Sequence, residues 1–66
     1  MRTYDVYFDS DTNSNNMGFG ESYDYCLNWI NMHNGSNHSY FEDYKGGTVS
    51  IVCIETEDCV YQEEVR

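Results

Sequence analysis

Between Asp9 and Asn15 the chain reads Asp-Ser-Asp-Thr-Asn-Ser-Asn, with oxygen-bearing side chains at the alternate positions an EF-hand loop uses to replace the water shell of Ca2+. The match then fails. Ser14 stands where the turn glycine is required, Gly20 stands where the bidentate glutamate is required, and the preceding residues do not read as a helix. An acidic polar loop is the better reading, and a calcium-dependent module using Asp9, Asp11 and Asn13 is only the third of three functional readings. His33 and His38 together with a cysteine are zinc-ligand types, but their separation of five across a helix end matches no compact zinc motif. Both are expected as exposed histidines near the negative end of a helix dipole.

The three cysteines, Cys26, Cys53 and Cys59, are odd in number and contain no C-x-x-C pair, which argues against a disulfide scaffold and a zinc ribbon. Cys26 and Cys53 read as small core residues. No Ser-His-Asp or Cys-His arrangement can be assigned. The adjacent carboxylates Glu42-Asp43 and Glu63-Glu64 make poor acid and base partners, since neighbours on a strand point to opposite faces. No catalytic residue, metal ligand or cofactor is assigned, and an enzyme is not expected.

The elements that position these residues follow from periodicity. Residues 3 to 8 alternate, with Tyr4, Val6 and Phe8 on one face and Thr3, Asp5 and Tyr7 on the other, so they read as a strand. Asp9 to Gly18 reads as loop. From about Glu21 to Asn34 the period is helical, with Gly20 or Ser22 as cap and Gly35 as stop. Tyr23, Cys26, Leu27 and Ile30 gather on its core side. Ser39-Tyr40-Phe41-Glu42 has the capping-box pattern, which predicts a short helical turn through about Lys45. Thr48 to Ile54 reads as the central strand, and Cys59 to Val65 as the third. The expected fold is α+β: one domain over residues 1–66, β-α-β-β, a three-stranded mostly antiparallel sheet with one helix on one face and a short extra helical turn before the second strand.

Charge narrows the function classes. Twelve Asp and Glu face three Lys and Arg, a formal net charge of −9 on 66 residues. Such a surface repels nucleic acid and anionic membrane and attracts basic proteins, above all the basic grooves of nucleic-acid enzymes. A chain this short buries only about 60% of its unfolded surface, so reliance on a partner or a second copy is a default expectation. No apolar stretch approaches the roughly 20 residues needed to span a bilayer, and the first residues lack a hydrophobic signal region, so the expected location is cytoplasmic.

Two features nominate the contacts. Tyr25, Trp29 and Met32 form a second helical stripe opposite the core stripe, and one helix over a sheet buries one face only. Aromatic residues and Met are enriched at interfaces, so the stripe reads as a partner surface, with cover by Tyr40 and Phe41 as the alternative. The acidic pairs Glu42-Asp43 and Glu57-Asp58 complete the expected partner-binding set, imitating phosphate charge in a basic groove.

In size, acidity and proline-free α/β pattern the whole chain resembles the small acidic proteins of phages and mobile elements, among them anti-CRISPR and other DNA-mimic inhibitors. The resemblance is one of type. The run from Tyr44 through Lys45-Gly46-Gly47 to Cys53 carries no nameable chemistry, so no functional residue is transferred. The resemblance implies a stoichiometric inhibitor in the host cytoplasm, occluding the basic surface of a CRISPR effector or similar complex without touching nucleic acid itself. The runner-up is a structural or regulatory homo-oligomer, such as a homodimer paired through a sheet face or edge, whose acidity serves solubility.

Overall fold

A computed structural model describes residues 2–66. Strand β1 (Tyr4–Asp9) leads through a tight turn into a short strand β2 (Ser14–Asn16); helix α1 (Tyr23–His33) and a one-turn helix α2 (Ser39–Asp43) follow, then strands β3 (Thr48–Cys53) and β4 (Cys59–Glu64). The sheet order is β2-β1-β3-β4, and every pairing is antiparallel. The α+β class and the central position of β3 agree with the sequence reading. The architecture is larger than expected, with four strands in place of three and two helices in place of one helix and a turn.

The extra strand lies in the segment read as loop. The Ser10 N–H donates to the Asn13 carbonyl at 2.8 Å and closes the turn, after which Ser14, Asn15 and Asn16 pair with Asp9, Phe8 and Tyr7. All three β2 side chains are exposed, so the strand carries no apolar alternation by which to be read. The chain then continues along the same edge: Met17 N–H donates to the Val6 carbonyl, and Tyr4 and Glu21 exchange a pair of backbone hydrogen bonds. Residues 14–21 therefore cover the free edge of β1 along most of its length, which removes one site for unwanted strand pairing.

Helix α1 begins at Ser22, whose hydroxyl accepts from the Tyr25 N–H, and ends at Asn34. It lies across β1 and β3. Cys26 and Ile30 are fully buried against Val6, Phe8, Val49 and Ile51, while Tyr23 and Leu27 pack at the margin of this core. Helix α2 starts one residue earlier than a Ser39 capping box would place it: the cap is His38, whose Nδ1 accepts from the Tyr40 N–H. Phe41 enters the core completely, and Tyr44 nearly so.

Asn34 ties the helical layer to the chain end. Its side-chain amide donates to the Glu63 carboxylate and to the Glu64 carbonyl, and its oxygen accepts from the Arg66 N–H. Nearby, Gly46 N–H donates to the Val65 carbonyl and Val65 N–H donates to the Gly47 carbonyl. Gly47 is thus fixed where α2, β1 and the last residues converge, and a Cβ there would stand 2.2 Å from the Asp9 carbonyl oxygen, a backbone atom with no room to yield. Gly47→Ala is expected to cost about 1–3 kcal/mol through forced backbone displacement, a fall in Tm of about 4–8 °C per kcal/mol. A thermal melt followed by circular dichroism checks this, and a Tm within a degree or so of the parent would contradict it.

Candidate functional site

The helix-exterior stripe is divided by the fold. Met32 is 71% exposed and Tyr25 47% exposed, whereas Trp29 is partly buried. The Trp29 ring sits 5.2 Å from Phe19, 5.3 Å from Phe41 and 6.1 Å from Phe8, with the rings of His33 and His38 completing the enclosure. The expectation of a continuous exposed stripe is therefore corrected at Trp29. Phe19 from the β2–α1 segment covers it on one side and α2 on another, the intramolecular cover that Phe41 had offered as an alternative. What remains outward is a shallow apolar groove lined by Tyr25, Asn28, Trp29 and Met32.

The acidic pairs are also separated. Glu42-Asp43 closes α2 just ahead of β3, and Glu57-Asp58 forms the turn just after it, so the two flank opposite ends of a six-residue strand, about 17 Å apart along its axis. Glu42, Asp43, Glu57 and Asp58 are all exposed. Asp43 shares a surface depression with Asp11, Lys45 and Gly47. At the other end, Glu57 takes the left-handed conformation, φ 62°, that turns the β3–β4 hairpin in the absence of a glycine. A β-bulge between Ile51 and Val52 sets the register that the turn residues left open.

Three carboxylates are engaged within the fold. Asp5 is 3% exposed. Its oxygens accept from the Val6, Gly18 and Phe19 N–H groups and from the Asn16 amide, at 2.7–2.9 Å. Burial acts to raise the Asp5 pKa, but the donors from Phe19, Asn16, Val6 and Gly18 outweigh it and hold the value below the ordinary one. Glu55 accepts from the Thr3 hydroxyl and the Thr3 N–H, and these bonds lower its pKa. Glu63 accepts from Asn34 and from the Tyr61 hydroxyl, and pairs with Arg66 at 3.8 Å. Its carboxylate keeps the Tyr61 phenol protonated to higher pH.

The other nine carboxylates are exposed and have no side-chain hydrogen bond or ion pair among the described residues. They divide between the two ends of the sheet. Asp9, Asp11, Glu42, Asp43 and Glu64 lie around the start of β3, while Glu21, Asp24, Glu57 and Asp58 lie around its finish and the start of α1.

Burial, with the nearby charges of Asp5 and Glu21, pushes the Cys26 thiol up to about 11, which disfavours the nucleophilic thiolate. Cys53 is buried and Cys59 exposed. His33 and His38, expected as exposed histidines, are both half-buried against Trp29, and their ring centres are 4.6 Å apart because Gly35 at φ 86° folds the chain back between them.

The sheet face away from α1 carries Tyr7, Val52 and Val60, with Ile54 beside them; Tyr7, Val52 and Ile54 line one depression. Tyr61 pairs with Ile51 and packs on the helix side. Among the described residues no helix is long and apolar enough to cross a membrane. Comparison of the chain with protein-family models, with curated proteins and with solved structures found no match.

Proposed function

We propose that the protein is a small acidic binding module that occludes a basic nucleic-acid-binding surface of a protein partner, as an inhibitor of a host defence complex of the CRISPR-effector class does. The observation that carries this reading is the set of nine exposed carboxylates with no side-chain partner among the described residues, in a chain with three basic residues. A globular fold of this size has no internal use for so many unpaired charges, and like charges at these densities oppose compaction. Their division between two ends of β3 spaces two negative clusters by about five phosphate steps of a nucleic-acid strand.

Magnitudes set the expected strength. The molecule is 32 Å along its longest axis, and duplex DNA of that length carries about 19 phosphate charges. With a net charge of −9, the protein has about half that line density. Field alone therefore does not let it outcompete DNA. The exposed Tyr25 and Met32 beside the acidic surface supply apolar contact that DNA lacks, and this part of the affinity resists salt.

The test is displacement of a labelled duplex from the nucleic-acid-binding effector recovered from nuclease-treated host lysate, measured over a salt series. Displacement by the parent protein is expected to weaken steeply with salt. The double changes Glu42→Lys with Asp43→Lys and Glu57→Lys with Asp58→Lys are each expected to weaken it at least about tenfold, the effect of losing about 1.4 kcal/mol. Unchanged displacement by both reversals would refute the proposal.

A second reading, a homo-oligomer without a nucleic-acid-related target, draws on the Tyr7, Val52, Ile54 and Val60 patch on the uncovered sheet face. It requires a salt-resistant dimer on sizing and no competition with DNA. The charge reversals would leave that dimer intact or steadier.

A further inference from the structure

Helices are usually capped by Ser, Thr, Asp or Asn, whose acceptor oxygens persist through the neutral pH range. Helix α2 is capped instead by an imidazole, the Nδ1 of His38 accepting from the Tyr40 N–H at 3.3 Å. This bond exists only while Nδ1 is unprotonated, because both nitrogens of a charged imidazole are donors.

Three further contacts make that protonation consequential. The His33 ring centre is 4.6 Å from that of His38, so charging both sets like charges side by side. Both rings lie against Trp29, at 5.2 and 5.3 Å, and His38 lies 5.7 Å from Phe41, the residue that anchors α2 in the core. The linking loop holds the rings together: the Ser36 hydroxyl donates to the His33 carbonyl and accepts from the His38 N–H.

The groups around the pair are few. Helix α1 contributes His33 itself and its negative C-terminal end; α2 contributes the Tyr40 ring and the Glu42 carboxylate one turn on; and beyond Asn34 the Glu63 carboxylate is already bonded to Tyr61 and paired with Arg66.

We propose that His38 is a pH-operated cap. Neutral, it closes α2 over Trp29; protonated, it releases the first turn of α2 and loosens the aromatic cover, within the pH 5–8 range in which histidines change charge. The sign follows from the acceptor role: the stabilisation is present while the imidazole is neutral and is lost as pH falls. Because α2 ends in Glu42 and Asp43, the device would alter the presentation of one acidic cluster.

The test follows the full chain from pH 8 to pH 5 by three signals: the single tryptophan's emission, hydrogen exchange at the Tyr40 amide corrected for its intrinsic rate, and the His38 ring resonances. The expected result is a reversible red shift of Trp29 emission and at least a fivefold loss of Tyr40 protection, both tracking His38 titration. His38→Asn retains a capping acceptor that does not titrate and is expected to abolish both changes, whereas His33→Gln removes the like charge and moves the midpoint to higher pH. Two results would each overturn the proposal: full titration of the His38 ring without change at Trp29 or Tyr40 in the parent, or the same pH profile in a folded His38→Asn protein.

Discussion

Phe8→Ala is expected to leave the chain largely unfolded in buffer at 25 °C. Phe8 is 1% exposed and joins the sheet to everything above it, with ring centres 5.0 Å from Phe41, 5.3 Å from Tyr44, 5.6 Å from Tyr40 and 6.1 Å from Trp29. Truncating a buried Phe costs about 3–5 kcal/mol, the lost transfer energy plus the cavity left behind. A core in a chain of this length supplies only about 3–5 kcal/mol of net stability, so one substitution removes most or all of it. Collapse of the surrounding rings into the space offers little relief, because they are held on two separate helices, Trp29 on α1 and the others on α2 and its C-cap, and α2 is a single turn held by Phe41 and its cap. The expected signature is loss of near-ultraviolet circular dichroism and a shift of Trp29 emission toward that of a solvated indole. Phe8→Leu, which keeps most of the volume, is expected to remain folded with a lower urea midpoint. A Phe8→Ala protein with a cooperative melt close to the parent's would show that the aromatic cluster is not the main support of the fold.

What could be read from the sequence, and what could not, divides along one physical line. Elements that bury an apolar face announce themselves. The alternation in Tyr4 to Phe8, the helical spacing of Cys26 and Ile30, and the β-branched run from Thr48 all appear where expected, within a residue or two at the ends. Elements made from polar contacts do not. Strand β2 consists of Ser14, Asn15 and Asn16, residues that favour turns and that are exposed on both faces here, so nothing in their hydropathy distinguishes strand from loop. The second stripe of α1 was visible as a pattern and Phe41 was weighed as its cover, but the other half of that cover was not visible. That cover depends on Phe19, which arrives through a segment held by polar bonds, and on the exact seat of α2. The approach of His33 to His38 likewise depends on the left-handed Gly35 and the Ser36 brace, a three-dimensional turn with no one-dimensional period. The acidic balance was plain from composition, whereas the withdrawal of Asp5, Glu55 and Glu63 from the free set, and the sorting of the rest to two ends, required the topology.

Asp5 is the clearest residue of this kind, and its replacement is expected to have the largest effect of any polar substitution. On alternation it falls on the face away from the helix and passes for a surface carboxylate, yet it is buried and gathers three backbone N–H groups and the Asn16 amide. Those bonds fix residues 16–19, and through them Phe19 against Trp29. Asp5→Ala leaves the donors unpaired and is expected to cost about 3 kcal/mol, since hydrogen bonds to a charged group contribute about 1.5–3 kcal/mol each and water recovers part of the loss at this edge of the sheet. In Tm that is a fall of about 12–24 °C. Asp5→Asn fares little better, because an amide turns one accepting oxygen into a donor aimed at N–H groups.

The pH dependence follows from the lowered pKa of the folded state. In the unfolded chain the group titrates near about 3.9, so its contribution is fully present above that value and disappears as pH falls through the lower, folded value. Urea midpoints measured from pH 6 down to pH 2 are expected to fall more steeply for the parent than for Asp5→Asn. The Asp5 contribution is lost only below about 3.9, beneath the pH 5–8 range of histidine protonation, so the acid response of Asp5 and the capping response of His38 can be separated in one series. Parallel acid limbs for the two proteins would mean that the carboxylate's charge does not support the 16–19 segment, and that the cost of Asp5→Asn, if observed, comes from hydrogen-bond geometry alone.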